Sequence, residues 1–421
     1  MRYAGAAVGP IGVAGAQFLL SLLLLRQLDV ADFGRFAFLL VISQFSISLW
    51  SALFTAPLLI AVGQKGADDD AAAPRALLCV SSLALLPVAL AFVSLAWMLG
   101  AGMGAACVFG LWGGLALLRH FARAWYLVHR APARTIASDV GYALALLLGA
   151  LMMMGGAART SLADAALLLL VSAGFGLLPF ARSKALATVR AMRLSDMTGY
   201  QQIWRRDARW SLLGVVTTEA TVNSQSYIVT AVSGAGGFAP IAATALLIRP
   251  VTVAINALTE FERARFVHDL RSGSLMLVAR GRAQLRWALL GIWGVTLVSA
   301  LALLALAPAL VFHGKFADTI LWTGVLLWFV VVLARAFHAC DGAVLLASGH
   351  FRKLAQLSSM SAIVSVMAVV ALQLLLGPVW SIGGIALGES LYALLLFRAA
   401  RTEMRNRAKE QGCIFDSSMA R

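Results

Sequence analysis

Apolar runs of about 20 residues, the helix length that crosses a bilayer core, recur along this chain and constrain its fold more than anything else in it. Twelve occur in 421 residues, at about 4–25, 36–63, 76–99, 105–128, 135–155, 162–181, 210–233, 238–259, 287–311, 321–347, 357–377 and 382–398. The expected fold is an all-α polytopic membrane protein with twelve transmembrane helices. With 61% hydrophobic and 13% charged residues, an ordinary cytosolic enzyme, a disordered chain and a disulfide scaffold are excluded. The first run follows only Met1, Arg2 and Tyr3, is too long for a signal h-region and lacks a clear cleavage site, so it is expected to be a retained span. Cys79, Cys107 and Cys340 lie in apolar runs and Cys413 in the tail, with no paired framework and no metal spacing.

The formal charge is +15, from 34 Lys and Arg against 19 Asp and Glu. Because the basic residues lie between the apolar runs, they indicate a membrane rather than nucleic acid. With the N-terminus inside, 26 of them fall on the inner side, 4 outside (Arg26, Arg35, Arg159, Lys315) and 4 within spans (Arg119, Arg123, Arg249, Arg335). This asymmetry places both termini in the cytoplasm and requires an even number of spans. The external loops are short, the longest about ten residues from Arg26 to Arg35. They leave no room for the external catalytic domain that a membrane-embedded glycan polymerase or ligase would need.

The largest internal loop, residues 182–209, holds seven arginines and lysines and separates six spans from six. The expected plan is an N-terminal lobe at 1–181, a C-terminal lobe at 210–398 and a basic cytoplasmic tail at 399–421. Two such lobes imply pseudo-two-fold symmetry about the membrane normal, with a site at their interface. Asp32–Ala37 and Gly237–Ala242 occupy equivalent places, matching at Phe33/Phe238 and Ala37/Ala242. The basic loop itself reads as a linker facing lipid head groups, with partner docking as the alternative.

Charge within a span is costly, at least ~2.5–3.5 kcal/mol at the centre, and each instance needs a reason. Arg119, Arg123, Tyr126 and Arg130 follow one another at steps of four, three and four residues, one face of a helix. They are expected to face a wet cavity, where guanidinium forks suit phosphate oxygens; snorkelling to the head groups is the alternative. Glu219, Asn223, Ser226 and Thr230 share a face of the most polar span, with Glu219 near the midplane as a candidate proton or cation site. Arg249 precedes Pro250, which bends a helix at mid-membrane; it either faces the cavity or pairs with Glu219. Arg335, His338 and Asp341 form a polar band in the tenth span, read as a coupling site or as helix glue, and Glu389 in the twelfth either meets a charge of that band or marks a water-exposed helix end. No P-loop, dinucleotide, HExxH or CxxC motif occurs.

The six-plus-six plan resembles the multidrug/oligosaccharidyl-lipid/polysaccharide exporter superfamily. Phe18–Leu40 resembles its polysaccharide-flippase (Wzx-like) branch, in which the first span ends in R-x-L-x-x-x-[DE]-[FY]-G-x-[FY]; Arg26, Leu28, Asp32, Phe33, Gly34 and Phe36 satisfy it. The second half departs from that pattern, with no acidic residue in the equivalent hairpin. The resemblance implies a flippase of the bacterial inner membrane, moving an undecaprenyl-pyrophosphate-linked oligosaccharide outward by alternating access for O-antigen or exopolysaccharide synthesis. It implies no enzyme activity and no cofactor beyond a coupling H+ or Na+. Its expected partners are the lipid-linked substrate, membrane lipids, and a glycan polymerase with its export machinery. On that reading Arg119, Arg123, Arg249 and Arg335 bind substrate, while Glu219, Asn223, His338, Asp341 and Glu389 are ion-coupling or polar-cavity residues, the ion being sensed by Glu219, Asp341 or Glu389. A multidrug or cation antiporter of the same superfamily, a glycan polymerase or ligase, and a scaffold for glycan assembly are the alternatives.

Overall fold

A computed structural model of the chain describes residues 2–59, 72–129, 131–155, 160–181, 197, 199–271, 274–348 and 350–410. Among these, every regular element is helical. The long helices are α1 (Arg2–Gln27), α2 (Val30–Trp50), α3 (Ala72–Met98), α4 (Met103–Val128), α5 (Pro132–Gly155), α6 (Leu162–Leu177), α7 (Arg209–Ala245), α8 (Arg249–Arg271), α9 (Leu275–Leu306), α10 (Asp318–Ala347), α11 (Phe351–Leu376) and α12 (Ser381–Glu410).

Among the described residues, 10 helical stretches are long and apolar enough to cross a bilayer, with Ile11–Gln27 as a shorter apolar helix. One stretch, Ser211–Leu270, runs 60 residues, about 90 Å at 1.5 Å per residue and so enough for two crossings of a ~30 Å core. It breaks at Gly234, whose φ of 71° and ψ of 177° suit only glycine. With that division, and with α1, each of the twelve apolar runs of the sequence falls mainly on a helix of the described residues. Side chains such as Trp287, Val295, Val298 and Leu306 on α9 stay exposed, as lipid-facing side chains do.

Two compact units form. The first comprises Met1–Val216 and Ser233–Ala239, the second Thr217–Val232 and Pro240–Arg421. The short segment after Gly234 joins the first unit through close packing. A methyl group at Gly34 would overlap the Ala235 carbonyl oxygen, and the Phe38 and Phe238 rings meet edge to face at 6.0 Å. The Arg26–Phe36 stretch is therefore a structural element. Asp29 caps α2 by accepting from the Asp32 amide at 2.7 Å. Asp32 pairs with Arg35, and Arg35 Nε donates to the Leu99 carbonyl at 2.9 Å. Leu28, Phe33 and Phe36 are buried. The expected ten-residue loop shrinks accordingly, because α2 begins at Val30 and takes up Asp32 and Arg35.

In the first unit, α2 continues through a π-helical turn, Ser51–Thr55. Such a turn widens the backbone ladder and leaves carbonyls to be satisfied from outside. The Tyr200 hydroxyl donates to the Leu53 carbonyl at 3.2 Å, over a core of Trp50, Phe54, Leu77, Leu117 and Phe121. In the second unit α10 packs on α8, α9 and α12, and α11 packs on α12. The α11–α12 approach depends on small residues: a methyl group at Gly384 would overlap the Val369 backbone.

One boundary shifts charged residues from a loop onto a helix. The ninth apolar run was expected at 287–311, but α9 starts at Leu275. Arg280, Arg282 and Arg286, expected in a loop, therefore lie on a helix. Arg130, Asp68–Asp70 and residues 182–196 of the basic loop lie outside the described residues.

Candidate functional site

In the first unit, α4 carries Arg119 and Arg123 one turn apart, and both reach Asp139 on α5. Arg119 Nη2 donates to Asp139 Oδ1 at 2.6 Å and Arg123 Nη2 to Oδ2 at 2.8 Å. Arg119 Nε also donates to Ser138 Oγ at 3.2 Å, and Ser138 Oγ donates to the Gly176 carbonyl at 2.6 Å. The Arg119 guanidinium lies 4.4 Å from the centre of the Tyr142 ring, and Gln17 donates to the Tyr142 hydroxyl at 3.3 Å. Glycines close the cluster. A Cβ at Gly9 would sit 2.5 Å from Asp139 Oδ2, and one at Gly176 2.7 Å from Arg119 Nε. Beside it, His120 and the Ser51 hydroxyl are 2.8 Å apart. Tyr126, expected on the arginine stripe, stacks on Phe180 at 5.0 Å with Arg134 over its ring.

Arg119 and Arg123 are thus neutralised in part by a carboxylate that the sequence reading passed over. Asp139 was findable as an isolated acid inside the fifth apolar run, since a buried acid needs a basic partner. Two guanidiniums against one carboxylate leave one positive charge in the cluster.

The tenth-span residues separate on α10. Arg335 Nε donates to Glu389 Oε1, and His338 Nε2 meets Oε2, both at 2.8 Å, with the His338 ring against Tyr392 at 5.0 Å. Asp341, on another side of α10, accepts from Arg282 Nη1 at 3.3 Å and Arg286 Nη2 at 3.0 Å. Glu389 does meet charges of α10. The partners of Asp341 were hidden by the loop assignment of Arg282 and Arg286.

On α7, Glu219 Oε1 accepts from Asn223 Nδ2 at 2.8 Å and from the Tyr227 hydroxyl at 2.7 Å. These residues follow at i, i+4 and i+8, so the bonds run along one helix face. Ser226 and Thr230 on that helix are buried. Unlike Asp139, Asp341 and Glu389, Glu219 has no basic partner among the described residues. Arg249 does not pair with it. Pro250 has no N–H for the Leu246 carbonyl, and the chain tightens there into a 3-10 turn, Leu246–Ile248, before α8. Arg249 opens α8 half-buried, with no ion pair or hydrogen bond to its guanidinium among the described residues.

Chemically, the two uncompensated groups stand apart from the three paired clusters. A guanidinium without a counter-charge in a low-dielectric setting attracts an oxyanion in bidentate geometry. A carboxylate held only by neutral donors attracts a cation. Among the described residues no group of His, Cys, Asp and Glu could hold a metal ion.

No protein-family model and no curated protein matches the sequence. Solved structures do match the fold. An inward-facing multidrug resistance MATE family transporter of the MOP superfamily aligns with a TM-score of 0.67 at 14% identity, over 94% of this chain and 95% of that one. The lipid II flippase MurJ, in an inward closed conformation, aligns at 0.67 and 8% identity over 94% of this chain and 87% of that one. An outward-facing MATE family transporter aligns at 0.56 and 14% identity, over 97% and 95%. The polytopic fold of these transporters and flippases is the fold of this chain.

Proposed function

We propose that the protein is a flippase. It carries an undecaprenyl-pyrophosphate-linked oligosaccharide from the inner to the outer leaflet of a bacterial inner membrane, for O-antigen or exopolysaccharide synthesis. The observation that carries this reading is Arg249, an intramembrane guanidinium at a helix discontinuity with no counter-charge among the described residues. Such a charge is costly unless an anion visits it, and a diphosphate offers oxygens in the geometry a guanidinium fork accepts. The other clusters add to the bias. Across them five arginines, Arg119, Arg123, Arg282, Arg286 and Arg335, face three carboxylates, Asp139, Asp341 and Glu389. The lipid tail stays in the bilayer while the head group crosses. Glu219, held by Asn223 and Tyr227, takes the coupling H+ or Na+. The fold shared with a lipid II flippase supports the reading. On this reading both termini are cytoplasmic, which the basic loops assigned to the inner side support.

The test is complementation. In a flippase-deficient strain the wild-type chain restores surface glycan, while Arg249→Gln leaves lipid-linked repeat units on the inner leaflet and Arg249→Lys restores export in part. Full export by Arg249→Gln, at normal protein levels, overturns the proposal. A second reading, a multidrug or cation antiporter, is favoured by the uncompensated Glu219 and by the MATE fold. It requires drug resistance that depends on Glu219 and is indifferent to Arg249.

A further inference from the structure

We propose that Arg282 and Arg286, braced by Asp341, form a subsite for the phosphate group of a lipid at the inner leaflet. The assignment needs only the membrane placement of α9 and α10, not the identity of any cargo. The depth is right for it. Counting about 20 residues of hydrocarbon core back from Leu306 along α9 reaches Arg286. The next residue, Trp287, is 74% exposed, as aromatic side chains at the head-group boundary are. The pair therefore sits where lipid phosphates lie.

Contrast with the first unit separates binding from mere neutralisation. Both units build the same device, two arginines one turn apart on one helix sharing one buried aspartate on another. In the first unit the Arg119 arm is closed, while Arg123 keeps 23% side-chain exposure. Arg119's side chain is 11% exposed, its Nε is used by Ser138, its face lies on Tyr142, and Gly9 and Gly176 admit nothing further. In the second unit the bonds to Asp341 are longer, 3.3 and 3.0 Å, and the arginine side chains are 26% and 24% exposed. Arg286 rests with its guanidinium 5.4 Å from the Phe337 ring centre, and its buried Nε, like that of Arg123, has no hydrogen-bond acceptor. Asp341 consumes one N–H from each fork and cancels one charge of two. The remaining charge and the N–H groups that Asp341 leaves over on the two forks suit the oxygens of a phosphate monoester or diester. The neighbouring Arg335–His338–Glu389 cluster turns to α12 and does not compete.

The full chain in phosphatidylcholine nanodiscs doped with phosphatidylglycerol, read by native mass spectrometry, tests this. The wild type should retain phosphatidylglycerol selectively. The Arg282→Gln/Arg286→Gln variant should lose about tenfold in occupancy, the loss of one or two charge-assisted hydrogen bonds. Arg282→Lys/Arg286→Lys, which protects against misfolding, should lose less because the charge is kept, with a residual loss because the forks are gone. Asp341→Asn decides between the two roles. A phosphate site keeps or gains occupancy when the competing carboxylate is neutralised, whereas arginines that serve only Asp341 leave phosphatidylglycerol retention unchanged in every variant, which overturns the proposal. Loss in Asp341→Asn equal to that in the double glutamine variant also overturns it. Undecaprenyl phosphate as a second probe separates the sources. Displacement of phosphatidylglycerol assigns the site to polyprenyl phosphates, and failure to displace assigns it to bulk anionic phospholipid.

Discussion

Replacing Asp139 by Asn removes the charge on which the first unit's buried cluster depends while keeping the side chain's shape. Two guanidiniums that now donate at 2.6 and 2.8 Å would face an amide oxygen and an amide N–H instead. Each lost charge-assisted hydrogen bond is worth about 1.5–3 kcal/mol. Breaking a buried pair by removing one partner costs about 3–5 kcal/mol, because the other charge is stranded. Relief is limited, since Gly9 and Gly176 press on the cluster and leave no room for a swing of Arg119. Arg123, at 23% side-chain exposure, can turn toward water, so most of the cost falls on Arg119, and about 3 kcal/mol is the expected destabilisation. The assay is unfolding of the detergent-solubilised protein, run as a double-mutant cycle with Arg119→Gln. The single variants should each fall well below wild type, and the double variant should lie close to the better single, giving a coupling energy of about 2 kcal/mol or more. Additive losses, or an Asp139→Asn variant within about 0.5 kcal/mol of wild type, would refute the view that this cluster is a structural lock.

The other expectations are simpler to check. Gly384→Ala places a methyl group into the Val369 backbone, and overpacking of this kind should cost about 1–3 kcal/mol in the same unfolding assay, more than Ala at Gly214, which has open space. Ser161→Ala removes a capping box in which Ser161 and Asp164 bond reciprocally at the start of α6; the loss should be about 1 kcal/mol, and Ser161→Thr should recover most of it. Glu219→Gln should abolish ion-dependent export while protein level and surface insertion stay normal, measured as glycan at the cell surface against an imposed H+ or Na+ gradient. Gly34→Ala forces the Ala235 carbonyl away from α2, and should raise the reactivity of a cysteine placed at Ala235 toward an impermeant maleimide.

The membrane class of the fold was legible from the sequence, because hydrocarbon leaves a chain few options. Each backbone polar group must be satisfied internally, so length and hydropathy alone decide where a helix lies. The helices reproduce the twelve apolar runs, and the polar ends were misjudged where charge continued along a helix, as at Arg282 and Arg286. The need of Arg119, Arg123, Arg335, Asp341 and Glu389 for partners was also legible, since burial of a charge demands one. Which partner each obtained was decided only by tertiary structure. Ion pairing depends on which helix faces lie within about 3 Å, and helical periodicity orders residues along one helix while saying nothing of its neighbour. Thus Asp139 claimed two arginines read as cavity-lining, Glu389 took Arg335 and His338, and Arg249 and Glu219 were left without counter-charges among the described residues.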